Sequence, residues 1–274
     1  MLGRIAERIG ECFMNQEQAG PTSSADVCAR LYMRLLKRCL TRDLFPDQRY
    51  DFGDLAHPVP YSKELRQNGK DWPTEADTMV GMKRLDNLHD CCWTAVRESV
   101  PGDFVETGVW RGGCGILMRA ILDVLKDCQR RVWLFDSFEG LPKPDSESFP
   151  QDKDDPHWTY SSCLAVSLKQ VKDNFEKYEL LDERTQFVKG WFRDTIPHSE
   201  IKNISVLRLD GDMYESTWLG LTHFYPKLSA GGFIIIDDYG AIPSCKAAVD
   251  DFRAQQSILS AICKVDWTGI FWRK

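Results

Sequence analysis

Two short acidic runs hold the densest chemistry in the chain, Asp210-Gly211-Asp212 and Asp237-Asp238. Each closes an apolar run that reads as a strand, SVLRLD before the first and FIIID before the second. Neighbouring strands ending there bring four aspartates to one spot. Like charges in a partly desolvated cleft repel strongly unless a cation or protons neutralise them. Hard oxygen ligands on a few carboxylates, with waters completing the shell, suit Mg²⁺, with Mn²⁺ or Ca²⁺ as alternatives. A divalent ion depresses the pKa of an oxygen it binds and orients it, and a spare carboxylate can then take the proton. The pattern therefore suits activation of a hydroxyl whose proton is otherwise held tightly. Asp210-Gly211-Asp212 is also formally a D-x-D, which makes a metal-dependent glycosyltransferase the alternative, although that leaves Asp237-Asp238 without a role.

Two more strand ends carry signals. The run DFVET leads into Glu106-Thr107-Gly108-Val109-Trp110-Arg111-Gly112-Gly113. Gly108 permits a tight turn, and Gly112 and Gly113 let a ligand approach the backbone where a helix begins. The spacing is neither a dinucleotide G-x-G-x-x-G nor a P-loop. The run RVWLFD ends at Asp136, with Ser137 beside it. A carboxylate about twenty-five to thirty positions beyond a glycine-rich loop suits the two hydroxyls of a nucleoside ribose, which points to an adenosine-type cofactor.

These residues need a sheet to gather them. DFVET, RVWLFD, TQFVKG, SVLRLD and FIIID alternate with helical segments at Gly115–Lys126, Ala165–Tyr178, Thr217–Leu228 and Cys245–Gln255, and Met79–Ser99 precedes them. Strands alternating with helices of this length indicate βαβ units in an open, mostly parallel α/β sheet, whose ligands bind beyond the carboxyl ends of the strands. Two last strand-like runs, AICKVDW and GIFWRK, read as an antiparallel hairpin closing the sheet, a feature of class I methyltransferases more than of nicotinamide-binding domains. Residues 1–78 read as a separate helical segment and 79–274 as the α/β domain. Ala25–Leu40 is the clearest N-terminal helix. Thr41–Trp72 loses periodicity in a mix of proline, glycine, acids and aromatics, fitting either a lid over the substrate or an ordered packing arm.

Composition narrows the class. The 274 residues are 43% hydrophobic and carry a formal net charge of −6, with no basic stripe for nucleic acid. Ten cysteines without a C-x-x-C pair are expected to be reduced, mostly buried thiols. The N-terminal MLGRIAERIGECFM has helical spacing but neither the unbroken apolar core of a signal peptide nor the acid-free composition of a presequence, so a cytoplasmic address is expected. No run approaches transmembrane length. A homo-oligomer stays open.

FVETGVWRGG, VWLFDSFEGLP, GWFRDTIP, VLRLDGDMYEST, the YPKLSAGG run and IIIDDYG, together with DWPTEADTMVGMKRLDNL, resemble the macrocin O-methyltransferase (TylF-type) family from about Leu31 to the C-terminus. The resemblance implies a class I methyltransferase fold with a seven-stranded sheet. It also implies S-adenosylmethionine-dependent, Mg²⁺-assisted methylation of a hydroxyl on a sugar or glycosylated small molecule. It assigns the metal to Asp210, Asp237 and Asp238, and the general base to Asp212. Independently of the resemblance, His223 is the next candidate base by proximity in sequence. The resemblance assigns the cofactor to Thr78, Met79, the Glu106-Thr107-Gly108 loop with Gly112, Asp136, Ser137, Trp191 and Asp210. Cys114 departs from the small residue usual there. The stretches 41–61 and 149–160, where the acceptor is expected, align poorly with the family, so its substrates do not transfer residue by residue. A protein that keeps the fold only as a binding module is the non-enzymatic alternative.

Overall fold

The computed structural model describes residues 23–51 and 54–274; the MLGRIAERIGECFM run lies outside them. From Asp103 onward, short apolar runs become strands and the amphipathic stretches between them become helices, as their periods require. The strands are β4 (Asp103–Thr107), β5 (Val132–Asp136), β6 (Thr185–Lys189), β7 (Ile204–Leu209), β8 (Leu228–Ile236), β9 (Cys263–Lys264) and β10 (Ile270–Arg273). They form one seven-stranded sheet in the order β6-β5-β4-β7-β8-β10-β9. The first five positions are parallel, and β10 runs antiparallel to both β8 and β9, giving the expected closing hairpin. All six residues of β7 are buried, as suits a central strand covered on both faces.

Helices α3 (Gly81–Arg97) and α4 (Gly113–Val124) belong to one apolar layer, and α8 (Tyr214–Phe224) and α9 (Pro243–Gln255) to the other; α5 (Ser161–Leu164), α6 (Leu168–Lys177) and α7 (Phe192–Thr195) lie between them in the chain. Strand order reverses between β4 and β7, because the chain leaves β4 outward through β5 and β6 before returning beside it. That switch point opens a crevice above the carboxyl ends of the central strands.

The described residues of the N-terminal segment hold more regular structure than their sequence suggests. Helix α1 (Ser24–Leu40) starts on a capping box between Ser23 and Asp26 and buries Met33, Leu36 and Leu40 in the same apolar layer as α3 and α4. The aperiodic stretch then folds into a small antiparallel sheet, with β1 (Arg49–Asp51) between β2 (Asp54–Val59) and β3 (Trp72–Pro73). The short helix α2 (Lys63–Gln67) brings Arg66 inward, where it bonds Asp47 at 2.6 Å, Asp71 at 2.9 Å and the Thr41 carbonyl at 2.8 Å. A buried, fully paired guanidinium stitches this stretch into a packing arm, which periodicity could not reveal because the partners are scattered.

Eight described cysteines carry free thiols, but only Cys91, Cys92, Cys114 and Cys245 are buried. No described helix is long and apolar enough to cross a membrane.

Candidate active site

Arg208, on the buried strand β7, organises the acids around it. Its Nη1 lies 2.9 Å from Oε1 of Glu106 on β4 and 2.8 Å from Oδ2 of Asp210, and its Nη2 lies 2.5 Å from Oδ1 of Asp237. From α3, Arg84 bonds the other oxygen of Asp237 through Nη1, Asp266 through Nε at 3.1 Å and the Gly69 carbonyl through Nη2 at 3.1 Å. Two buried guanidinium groups therefore offset part of the acidic charge. The expectation that a cation or protons alone must do so is corrected: arginines on a strand and on a distant helix carry no acid-binding motif, so their role was invisible in sequence.

Asp210, Asp237 and Asp238 each offer one oxygen within 4.8 Å of the others. Burial pushes the Asp210 carboxyl up and the nearby Asp237 charge adds to it. Asp238 is pushed well up by burial and then by Asp210 and Asp212. For Asp237, burial works against ionisation, but Arg208 and Arg84 outweigh it and hold the carboxyl below its usual range. Glu106, buried behind Arg208, is pushed up to about 8, chiefly by burial, and its Oε2 has no hydrogen-bond partner.

Asp212 sits in the left-handed backbone region at φ +64°, a conformation that costs a non-glycine residue about 1–3 kcal/mol. Its turn is held by Asp238, whose Oδ2 accepts the Asp212 N–H at 3.2 Å, and by the Met213 N–H donated to the Gly211 carbonyl at 2.7 Å. Burial first, and then Asp210, push the Asp212 carboxyl up to about 7, against the pull of His157. Helix α8 begins immediately afterwards without a side-chain cap of its own. Asp152, from a 3₁₀ turn at Pro150–Asp152, supplies one in trans, accepting the Tyr214 N–H at 2.7 Å and the Glu215 N–H at 2.9 Å.

His157, on the same connection between β5 and β6, lines the cavity with Asp212. Its Nδ1 is 2.6 Å from Oδ1 of Asp155, whose Oδ2 accepts from the Ser244 hydroxyl at 3.1 Å. Both residues fall in the 149–160 stretch, whose lack of periodicity gave no hint of them. His223, the fallback base by sequence proximity, lies near the far end of α8 with Lys227 and His198 as its charged neighbours, and is not among the residues lining the cavity.

On the other side of the switch point, Gly108 adopts φ +83°, and an added Cβ would fall 1.6 Å from the Asp210 carbonyl oxygen, so only glycine fits. Asp136 fixes this loop: Oδ2 accepts N–H groups of Val109 at 2.7 Å and Trp110 at 3.3 Å, and Oδ1 accepts that of Phe138 at 2.7 Å. Burial raises its pKa against these bonds. Met79, Gly108, Asp136, Ser137, Trp191 and Asp210 all line one cavity of about 260 Å³, together with Asp212, Asp237 and Asp238.

The other residues singled out in sequence stand behind that wall. Thr78 is buried, with its Oγ1 accepting the Val80 N–H at 3.4 Å. The Thr107 carbonyl accepts the Asp210 N–H at 2.9 Å, joining β4 to the acidic turn. Gly112 opens α4 at φ +92°, packed against Phe175 and Val171.

The model of the macrocin O-methyltransferase (TylF) family matches residues 32–274. A demethyldecarbamoylnovobiocin O-methyltransferase of Streptomyces niveus is 43% identical over 244 residues, covering 89% of this chain and 93% of its own length. A Streptomyces olivaceus 4'-O-methyltransferase, named for an 8-demethyl-8-(2,3-dimethoxy-alpha-L-rhamnosyl)-tetracenomycin C acceptor, is 47% identical over 248 residues, covering 89% and 92%. Among solved structures, that of the O-methyltransferase NovP superposes with a TM-score of 0.85 at 43% identity, covering 90% of this chain and 99% of that one. The match spans the sheet, the arm and the acidic turn alike, and the chain belongs to the macrocin O-methyltransferase (TylF) family.

Proposed function

We propose that this protein transfers the methyl group of S-adenosylmethionine to a hydroxyl on the sugar of a glycosylated small molecule, with the help of Mg²⁺ or a similar divalent cation. The carrying observation is a single cavity lined both by the Gly108–Asp136 corner, suited to an adenosine-type donor, and by Asp210, Asp237 and Asp238. The rhamnosyl acceptor in the name of the S. olivaceus relative supports a sugar.

The residues fit both groups. Three hard carboxylate oxygens within 4.8 Å of one another suit a divalent cation, and two arginines already carry part of the neutralisation, so the cluster need not collapse without it. The Gly108 turn, fixed by Asp136, lines the cavity with backbone in place of a side chain, which suits a donor approaching the chain closely. When bound, S-adenosylmethionine supplies an electrophilic methyl group and the cation supplies a Lewis acid.

The chain's own residues do the rest. Met79, Gly108, Asp136, Ser137 and Trp191 hold the donor; Thr78, Glu106, Thr107 and Gly112 shape the loop from behind. Asp210, Asp237 and Asp238 hold the cation, and Asp212 takes the proton of the acceptor hydroxyl as a positioned general base. Trp191 and Leu141 help to exclude water from the cavity they line.

The test is incubation with methyl-labelled S-adenosylmethionine and a panel of glycosylated metabolites, before and after exhaustive chelation. Label on a sugar hydroxyl that disappears with chelation is the expected result. No label on any glycoside removes the acceptor class, and unchanged labelling after chelation removes the cation.

A further inference from the structure

Arg84 and Arg208 bond carboxylates; among the described residues Arg111 bonds none. It lies three positions beyond Gly108, half-buried, and its guanidinium donates only to main-chain carbonyls. Nη1 reaches those of Pro73 at 3.2 Å and Ala76 at 2.9 Å, and Nη2 that of Thr74 at 2.9 Å. All three acceptors fall in residues 73–76, the joint where the N-terminal arm meets the α/β domain. Burial holds the Arg111 pKa below its usual value, against the pull of Asp47 and Asp77. Three carbonyls at once require a planar, forked donor, which the point charge of a lysine cannot imitate.

The joint is gripped from both sides. On the arm side, Asp47 Oδ2 accepts the N–H groups of Glu75 at 2.6 Å and Ala76 at 3.2 Å. On the domain side, the Gly113 N–H donates to the Asp77 carbonyl at 2.9 Å, and the Tyr178 hydroxyl donates to Oδ2 of Asp77 at 2.7 Å. Trp72 and Met79, which flank the joint, both line the cavity. So does Trp110, whose ring centre lies 4.1 Å from the Arg111 guanidinium carbon, within cation–π range. Asp136 holds the Trp110 N–H, so the donor corner, Trp110, Arg111 and the joint form one connected series.

We infer that Arg111 is a positioning residue that couples the donor corner to the arm. A donor seated on the Gly108 loop, as in the reading above on which this rests, steadies Trp110 and Arg111 and through them the cavity wall from Trp72 to Met79. The bonded groups are 35 to 38 positions apart in the chain, so restraint of one segment passes to the other through the guanidinium itself. No displacement is needed, because a wall already restrained by the first ligand costs the second less entropy to order. Methyl transfer gains from this, since both reactants must be held in line and a wall loose on one side holds only one of them.

The probe is S-adenosylhomocysteine, added at saturation to the full chain, with amide hydrogen exchange followed by mass spectrometry over residues 69–79 and 105–113. In the parent both segments are expected to slow, the first by about five-fold or more, the lower end of ordinary coupling between sites. Arg111→Met, which keeps the apolar stem, should still bind the ligand and slow at 105–113 but lose the slowing at 69–79. Arg111→Lys, with the charge but not the fork, should recover only part of it. A passive brace would instead loosen 69–79 equally with and without ligand, leaving the ligand-induced ratio unchanged in the variants. That unchanged ratio, or a parent whose 69–79 segment does not respond to the ligand, overturns the inference. Should Arg111→Met fail to fold, the parent and Arg111→Lys decide it. Calorimetry on the parent separates the two readings: no binding removes the donor reading together with the coupling, whereas binding without a response at 69–79 removes the coupling alone.

Discussion

Nη1 of Arg208 stands 2.8 Å from Oδ2 of Asp210, and the same guanidinium reaches Glu106 and Asp237 from adjacent strands. One buried cation thus ties together the ends of β4, β7 and β8. Replacing Arg208 by Met strands Glu106 and Asp210 and leaves Asp237 with Arg84 alone, and breaking buried pairs of this kind costs about 3–5 kcal/mol. Urea unfolding of Arg208→Met should show that loss, and Mg²⁺ should restore stability to the variant more than to the parent. A variant as stable as the parent without metal would remove Arg208 from this role.

Metal and base functions separate by mutation, but Asp237 is the wrong place to probe the metal, since it also pairs with two arginines. Asp238→Asn should weaken Mg²⁺ binding in calorimetry and lower activity with it. Asp212→Asn should keep metal binding and slow turnover by about 10²–10⁴-fold, the usual contribution of a positioned base. An Asp212→Asn enzyme as fast as the parent would move the base elsewhere, and His157 would be the next group to test.

Asp136 holds the Gly108 loop through the N–H groups of Val109 and Trp110, and its own turn through that of Phe138. Asp136→Ala should weaken S-adenosylhomocysteine binding by about 1.5–3 kcal/mol, the range for hydrogen bonds to a charged group. Calorimetric titration of the folded variant gives the answer, and unchanged affinity would leave Asp136 a purely internal brace.

Asp152 caps α8 from a separate segment. Asp152→Ala should cost about 0.5–2 kcal/mol, as loss of an N-terminal cap does, and should free the 145–164 connection that carries His157 and Tyr160. Limited proteolysis should cut this connection faster in the variant than in the parent. Equal cutting rates would show that other contacts hold it.

Asp182 sits between Arg119 and Arg184, and hydrogen bonding to Arg119 holds its carboxyl down at about 2, against an ordinary value of 3.8. A depressed folded pKa favours the folded state while the group is ionised. Its contribution is therefore complete above pH 3.8 and lost as pH falls through about 2. The pair is partly exposed, so Asp182→Asn should cost only about 1 kcal/mol near neutral pH and almost nothing at the acid end. Urea midpoints of parent and variant that differ equally at both ends would refute this assignment.

The sheet was legible because its signal is local. The runs DFVET, RVWLFD, TQFVKG, SVLRLD and FIIID became β4 to β8, and GIFWRK closed the sheet antiparallel, since side-chain period and run length are properties of consecutive residues. The same locality revealed the glycine at position 108, where no side chain fits, and the acidic runs at the ends of β7 and β8. What the sequence could not decide were relations across long separations. Arg84 and Asp237 are 153 positions apart, and Glu106 and Arg208 are 102 apart. A helix arginine or a strand arginine has no local mark of the carboxylate it will neutralise. Residues 41–72 read equally as a lid or a packing arm, because the contacts that order them, Arg66 with Asp47 and Asp71, follow no period. His157, hidden in an aperiodic connection, reached the cavity only because Asp152 and Asp155 anchor that connection to helices α8 and α9. Sequence determined the elements and the acids at their ends; chain crossing and burial decided which charges met, because only a folded, low-dielectric interior makes those pairings obligatory.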